Sequence, residues 1–302
     1  MAAIISKMLM LFLLIAVGFA AYKLKAIDRA ANKSLSRFVL NITLPCTVLD
    51  SVLEGETAAS IGDAGIYFLL VALVYAIQFA IACPAPRLLR APKKDGGVYI
   101  FSIVFANVAF MGYPVTEVIF GPGAAFYVSI LNIMFNLLCY TVGILMLSGS
   151  SNGVNLKLLI SPANTATVLA IIIYMTHIVF PSIITDTVST LGRVTTPVSM
   201  ILVGSILATL PIKAIFDEKR IWGICVLRLV AAPAAVWAIL HVFVRDPFVL
   251  GILTVLAGMP TATMTSMLSL EYGANEKLAS QIVFATTLLS VLTVPLIAYL
   301  IA

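Results

Sequence analysis

Charge is scarce in this 302-residue sequence. Asp, Glu, Lys and Arg make up only 10% of it, against 62% apolar residues and a mean hydropathy of +1.12. A water-soluble domain of that length needs far more polar surface to cover its core, so a soluble globular fold is excluded. Cysteine is also scarce. Cys46, Cys83, Cys139 and Cys225 lie in or at the ends of apolar runs, with no CxxC or zinc-ligand spacing, and read as packing residues. The two histidines, His177 and His241, fall near the expected outer interface and carry no metal-ligand spacing. There is no HExxH, DxxxD-type metal motif or Walker loop. An enzyme, a metal site and a resident cofactor are therefore not expected. The net charge of +5 does not point to nucleic acid either, because the basic residues sit in short loops between apolar runs.

What the sequence has instead is a succession of apolar runs of membrane length. They predict an all-α polytopic membrane protein. Ten spans are placed at 3–24, 34–53, 64–84, 98–120, 124–148, 158–181, 187–210, 221–244, 248–270 and 278–301. The first run lacks a basic start and a cleavage context, so it reads as a retained span rather than a signal peptide. Cations alternate between loops. Lys23, Lys25, Arg29, Lys33 and Arg37 mark the first, Arg87, Arg90, Lys93 and Lys94 the third, Lys157 the fifth, Lys213, Lys219 and Arg220 the seventh and Lys277 the ninth. The even loops carry Glu54, Glu56 and Asp63, or Arg245 beside Asp246. This alternation predicts odd loops in the cytoplasm and both termini outside an inner (cell) membrane.

Two landmarks recur at one offset. An Arg shortly before a mid-span proline appears at Pro45 and Pro197, and a span-ending aromatic-glycine pair appears at Phe120-Gly121 and Tyr272-Gly273; both pairs are 152 residues apart. The offset divides the chain into 1–150 and 151–302, each with five spans. Five is odd, so the halves run in opposite directions through the membrane, which is an inverted repeat.

The repeat pairs span four, with NVAFMGYPV (107–115), and span nine, with AGMPTATMTSML (257–268). Both hold glycine and proline at mid-span, so helices 4 and 9 are expected to be broken and to cross. A break frees carbonyls before it and N–H groups after it; the N–H end suits an anion and the carbonyl end a cation. Asn107, Gly112, Pro114, Gly258, Pro260, Thr261 and Thr263 are the expected substrate-binding set, with the break of span four at Gly112–Pro114. Pro45 and Pro197 read as kinks. Among intramembrane ionisable residues, Glu117 and Asp50 are candidates for coupling to H+ or Na+. Arg193 reads as structural, and so does Arg228, placed at the start of span eight with its side chain snorkelling.

Several blocks resemble the auxin efflux carrier family, within the bile-acid and arsenite transporter group: RFVLNITLPCTVLDSV (37–52), NVAFMGYPVTEVIFG (107–121), RLVAAP (228–233), GMPTATMTSMLSLEYG (258–273) and TTLLSVLTVPLIAYL (286–300). They run through the whole chain, and Asn followed by Met-Gly-x-Pro is the most specific. The resemblance implies a scaffold domain (helices 1, 2, 6 and 7) and a transport domain (helices 3–5 and 8–10). It also implies an elevator-type secondary transporter of small organic anions such as malate, malonate or an auxin-like acid. A homodimer through the scaffold is expected, with membrane lipid and the organic anion as the other partners. Relatives often place an Asn just after the span-nine proline, where this sequence has Thr263, Met264 and Thr265. The alternative from the residues alone is a channel or sensor using the same crossover as an ion or ligand site.

Overall fold

The computed structural model describes residues 2–53, 61–149, 161–176, 178, 180–209 and 218–301. Glu54, Glu56, Lys157, Lys213, His177 and the junction at 150–151 lie outside them. Every regular element among the described residues is helical, apart from one isolated antiparallel bridge between Ala106 and Thr261. Among the described residues, five helical stretches are long and apolar enough to cross a membrane: Gly65–Leu88, Ala124–Ser148, Ser182–Ala208, Arg220–Leu240 and Glu276–Ile301. Shorter apolar stretches are Leu9–Lys23, Val108–Phe120, Pro162–Thr176 and Pro247–Ala257. Large apolar side chains face outward on many of them, including Leu13, Leu69, Ile183, Val226, Leu292 and Leu300. A helix surface that apolar is disfavoured in water and suited to hydrocarbon.

Local chemistry explains where helices start, widen and stop. Asp28 caps Arg29–Phe38 by accepting from the Ala31 amide at 2.7 Å. Asp246 caps Pro247–Ala257 by accepting from the Phe248 amide at 2.9 Å, with Pro247 in the first turn, where its missing N–H does no harm. Gly121 (φ +90°) ends Tyr113–Phe120, and Gly273 (φ +71°) follows Met264–Glu271. Both adopt a backbone region that favours glycine.

Prolines inside these helices do not interrupt them. Three π turns, Val39–Thr43, Val108–Gly112 and Leu227–Ala231, each end two residues before a proline: Pro45, Pro114 and Pro233. A proline ring displaces the carbonyl four residues back and supplies no N–H to it. Widening the preceding turn makes room for the ring and lets the helix run on. The expectation that Gly112 and Pro114 break span four is thereby corrected. Gly112 is right-handed helical (φ −59°, ψ −52°), and Pro114 lies at the start of Tyr113–Phe120.

The chain divides into two compact units, each discontinuous in sequence. The first comprises Met1–Phe68, Ala109–Ile133 and Leu159–Thr209; the second comprises Leu69–Val108, Met134–Leu158 and Leu210–Ala302. In the first unit, helix Ala2–Lys23 lies directly against Thr195–Ala208. The contact is so close that a Cβ on Gly18 would strike the Ile201 carbonyl, and one on Gly204 the Ile15 carbonyl. Close backbone approach over small residues is the usual means of helix association where no water is expelled. Helix Leu44–Leu53 packs on Pro162–Thr176 and Ser182–Arg193, where the buried Thr47 hydroxyl lies 3.0 Å from the Gly192 carbonyl and 2.8 Å from Thr195 Oγ1. In the second unit, Phe105 is wholly buried in an aromatic cluster. Its ring centroid is 4.5 Å from Phe101, 5.6 Å from Phe135 and 6.3 Å from Phe79.

Candidate functional site

In the second unit two apolar helices stop and their continuing chains pair. Helix Gly96–Val104 ends at Phe105, whose backbone is extended (φ −95°, ψ 109°). Helix Pro247–Ala257 ends at Gly258, and helical structure resumes at Met264–Glu271. Between them, Ala106 and Thr261 form the antiparallel bridge: the Asn107 amide donates to the Pro260 carbonyl at 2.8 Å and the Ala262 amide to the Phe105 carbonyl at 2.9 Å. All of these residues are buried. An unpaired peptide group at such a place costs several kcal/mol, roughly, in an apolar surround, and the mutual pairing removes that cost.

The carbonyls at the end of Gly96–Val104 can be followed one by one. Phe101 accepts from the Phe105 amide (2.9 Å), Ser102 from the Thr261 hydroxyl (2.8 Å) and Ala106 from the Val108 amide (2.9 Å). Ile103 accepts from Arg228 Nη1 at 2.7 Å, with Val104 more distant at 3.5 Å. Arg228 also reaches the other interrupted helix, donating through Nε to the Met259 carbonyl at 2.8 Å. Its placement corrects the expectation of a snorkelling residue at a helix start. It lies within the π turn Leu227–Ala231, well inside the stretch Arg220–Leu240, and is 0% exposed. The signal for it was in the sequence: an Arg with no acidic residue anywhere in its own apolar run.

The predicted site residues fall into two places. Asn107, Gly258, Pro260 and Thr261 are brought together at the paired segments, all buried. Thr261 is committed on both sides, its hydroxyl to Ser102 and its amide to Thr286 Oγ1 at 3.2 Å. A Cβ on Gly258 would collide with the Ile297 side-chain tip and lie in ordinary contact with Pro233. Thr263 is half-buried at the start of Met264–Glu271 without a side-chain cap bond, and its carbonyl accepts from Ser266 Oγ at 3.1 Å. Gly112 and Pro114 belong to the first unit, on the helix that continues from Val108.

Glu117 and Asp50 are also in the first unit. Glu117 accepts from the Thr196 hydroxyl at 3.0 Å and lies within electrostatic reach of Asp50 and Arg193. A cleft of about 330 Å³ there is lined by Asp50, Asp186, Ser189, Thr190 and Arg193 among others. Sequence reading assigned Arg193 a structural role and overlooked Asp186 and Ser189; the cleft brings all three beside Asp50. His241 stacks on Trp237, ring centroids 4.9 Å apart.

Discontinuous helices that meet within the membrane are a recurrent feature of secondary transporters. The sequence matches the membrane transport protein family over residues 3–156 and 150–298, and the chain belongs to that family, which includes the auxin efflux carriers. It is similar to an uncharacterized transporter of Methanocaldococcus jannaschii, 24% identical over 95% of this chain and 96% of that protein. It is similar also to a Rhizobium meliloti protein provisionally named a malonate transporter, 25% identical over 100% of this chain and 97% of that one. An uncharacterized transporter of Methanothermobacter thermautotrophicus is 24% identical over 95% of each chain. The protein is thus a multi-pass membrane protein of a transporter family.

Proposed function

We propose that this protein is a secondary transporter of a small organic anion with a carboxylate group, malonate-like in size, bound where the two interrupted helices pair. The observation that carries the reading is the pairing of 105–107 with 260–262 inside otherwise apolar helices. Irregular backbone at such depth has a use where it faces a cargo. Helices that begin at Val108 and at Met264 direct N–H groups and positive dipole ends back toward the paired segments, the polarity an anion needs. Asn107, Thr261 and Thr263 form the cargo side of the site, with Gly258 and Pro260 shaping the backbone. Gly112 and Pro114 serve instead to carry helix Val108–Phe120 onward. The malonate-transporter name of one relative agrees with the carboxylate class.

The wider plan is ten spans in two inverted halves, 1–150 and 151–302, with helices 4 and 9 crossing. It is supported by the two positive-φ glycines, Gly121 and Gly273, each closing the helix that follows an interruption. In this reading helices 1, 2, 6 and 7 form a scaffold through which two copies dimerise, and helices 3–5 and 8–10 move against it in an elevator cycle. Both termini face the outside of the cell membrane. Glu117 and Asp50 take up the coupling proton or cation.

Radiolabelled malonate in proteoliposomes tests the function. Saturable uptake that accelerates when the lumen is preloaded with unlabelled malonate is the expected result. An ohmic anion current without such exchange would replace the carrier with a channel.

A further inference from the structure

Arg228 is a buried cation with no carboxylate beside it among the described residues. The ionisable group that interacts with it there is the Tyr75 phenol. Burying a guanidinium is expensive unless its charge and its donors are both answered. Two of its nitrogens are answered by main chain, Nε by Met259 and Nη1 by Ile103. These carbonyls lie at or just beyond the C-terminal ends of the two interrupted helices, each of which carries roughly half a negative charge. The third nitrogen, Nη2, is buried and has no acceptor among the described residues. Two further buried groups beside the paired segments share that condition, the hydroxyls of Ser102 and Thr265.

Charge bookkeeping gives the meaning of this arrangement. The guanidinium balances the two carbonyl ends, and it stays protonated across the physiological range. What remains is the positive character of the two following helix starts, at Val108 and Met264. Local charge is then balanced by one added negative group, and Nη2 is the strong donor left over to hold it. A planar guanidinium already fixed through two of its nitrogens presents the third at little further entropic cost.

We propose that Arg228 is a resident counter-cation. It takes the place between the two carbonyl-ended helices that a mobile coupling cation would otherwise fill, and it offers Nη2 directly to the carboxylate of the cargo. Cargo binding at this site is therefore independent of sodium, and cation coupling, where present, lies elsewhere in the protein. The cargo part of this inference rests on the carboxylate reading given above; the counter-cation part does not.

The test uses the purified full-length protein in nanodiscs, titrated with malonate in sodium chloride and in choline chloride of equal strength, with thermal stability as the readout. Wild type should bind malonate equally in both salts. Arg228→Lys keeps the charge but cannot reach both carbonyl ends and the cargo together, so its malonate affinity should fall by at least about tenfold, the worth of one charge-assisted hydrogen bond. Arg228→Gln should lose malonate binding and regain part of it with added methylguanidinium, a recovery that mere structural damage would not give. Wild-type affinity in the lysine variant, or sodium-dependent binding in wild type, would overturn the proposal. If wild type binds no carboxylate, the proposed cargo fails and the counter-cation is judged without it. Methylguanidinium must then raise the melting temperature of Arg228→Gln and not that of wild type, and absence of that difference would overturn it too. If Arg228→Gln does not fold, Arg228→Lys alone decides, through its affinity in the two salts where wild type binds malonate and otherwise through its melting temperature, which equal to that of wild type would overturn the counter-cation.

Discussion

Replacing Thr261 by valine removes one hydroxyl and almost no volume, and isolates one side-chain bond among those that tie the two interrupted helices together. The Thr261 hydroxyl donates to the Ser102 carbonyl at 2.8 Å, with both residues 0% exposed. Two magnitudes compete. Interhelical hydrogen bonds in membrane proteins average only about 0.6 kcal/mol, because the unfolded chain in lipid finds other partners. Orphaning a buried carbonyl costs about 1–3 kcal/mol. The second should dominate here, because Ser102 lies in the last turn of Gly96–Val104 and the carbonyls around it are already matched to Phe105, Arg228, Ala262 and Val108. We therefore expect Thr261→Val to destabilise the protein by about 1–2 kcal/mol, up to roughly thirtyfold in an equilibrium constant. Thr261→Ser, which keeps the donor, should lose less than half as much. Reversible unfolding in mixed detergent micelles, followed by tryptophan fluorescence and circular dichroism, measures both. A valine variant as stable as wild type, or a serine variant as weak as valine, would refute the reasoning, since valine replaces the hydroxyl by a methyl while serine keeps the hydroxyl and loses only the methyl.

Asn107→Ala should abolish malonate counterflow in proteoliposomes while membrane insertion and gel-filtration behaviour stay normal, and normal uptake would remove Asn107 from the site. Glu117→Gln should alter the dependence of uptake on a proton or sodium gradient, because it removes a carboxylate held by Thr196 and within reach of Asp50 and Arg193; a gradient response identical to wild type would dismiss the coupling role. Gly204→Val should destabilise the protein by about 1–3 kcal/mol, since overpacking displaces rigid neighbours and the neighbour here is the Ile15 main chain. Gly65→Ala, where an added Cβ meets open space, should lie close to wild type in the same unfolding assay.

The helical character and the apolar spans were legible in the sequence, because a run such as 276–301 has one low-energy solution in lipid: a helix that satisfies its own backbone. The involvement of spans four and nine was legible too, through Asn107 and Pro260. The location of the span-four interruption was not. The sequence around Val104, IVFAN, contains neither glycine nor proline, while the helix runs unbroken through Gly112 and Pro114. Proline punctuation was read as a stop, where a π turn absorbs it. Arg228 was misplaced for a related reason: its position counted from the chain pattern looked peripheral, and the carbonyls it holds come from residues more than a hundred and about thirty positions away.

The sequence alone determined that the chain is helical and apolar, with runs long enough to cross a membrane. Those properties follow from hydropathy and from the conformational limits of single residues, which act over a turn or two. Tertiary structure decided which carbonyls and amides are left over and what answers them. Helix Gly96–Val104 stops because Phe105 and Asn107 find main-chain partners in 260–262, and Arg228 lies at their ends because the π turn before Pro233 holds it there. A backbone group in an apolar surround goes wherever a donor or acceptor is in reach, and that reach is a property of the folded chain in three dimensions.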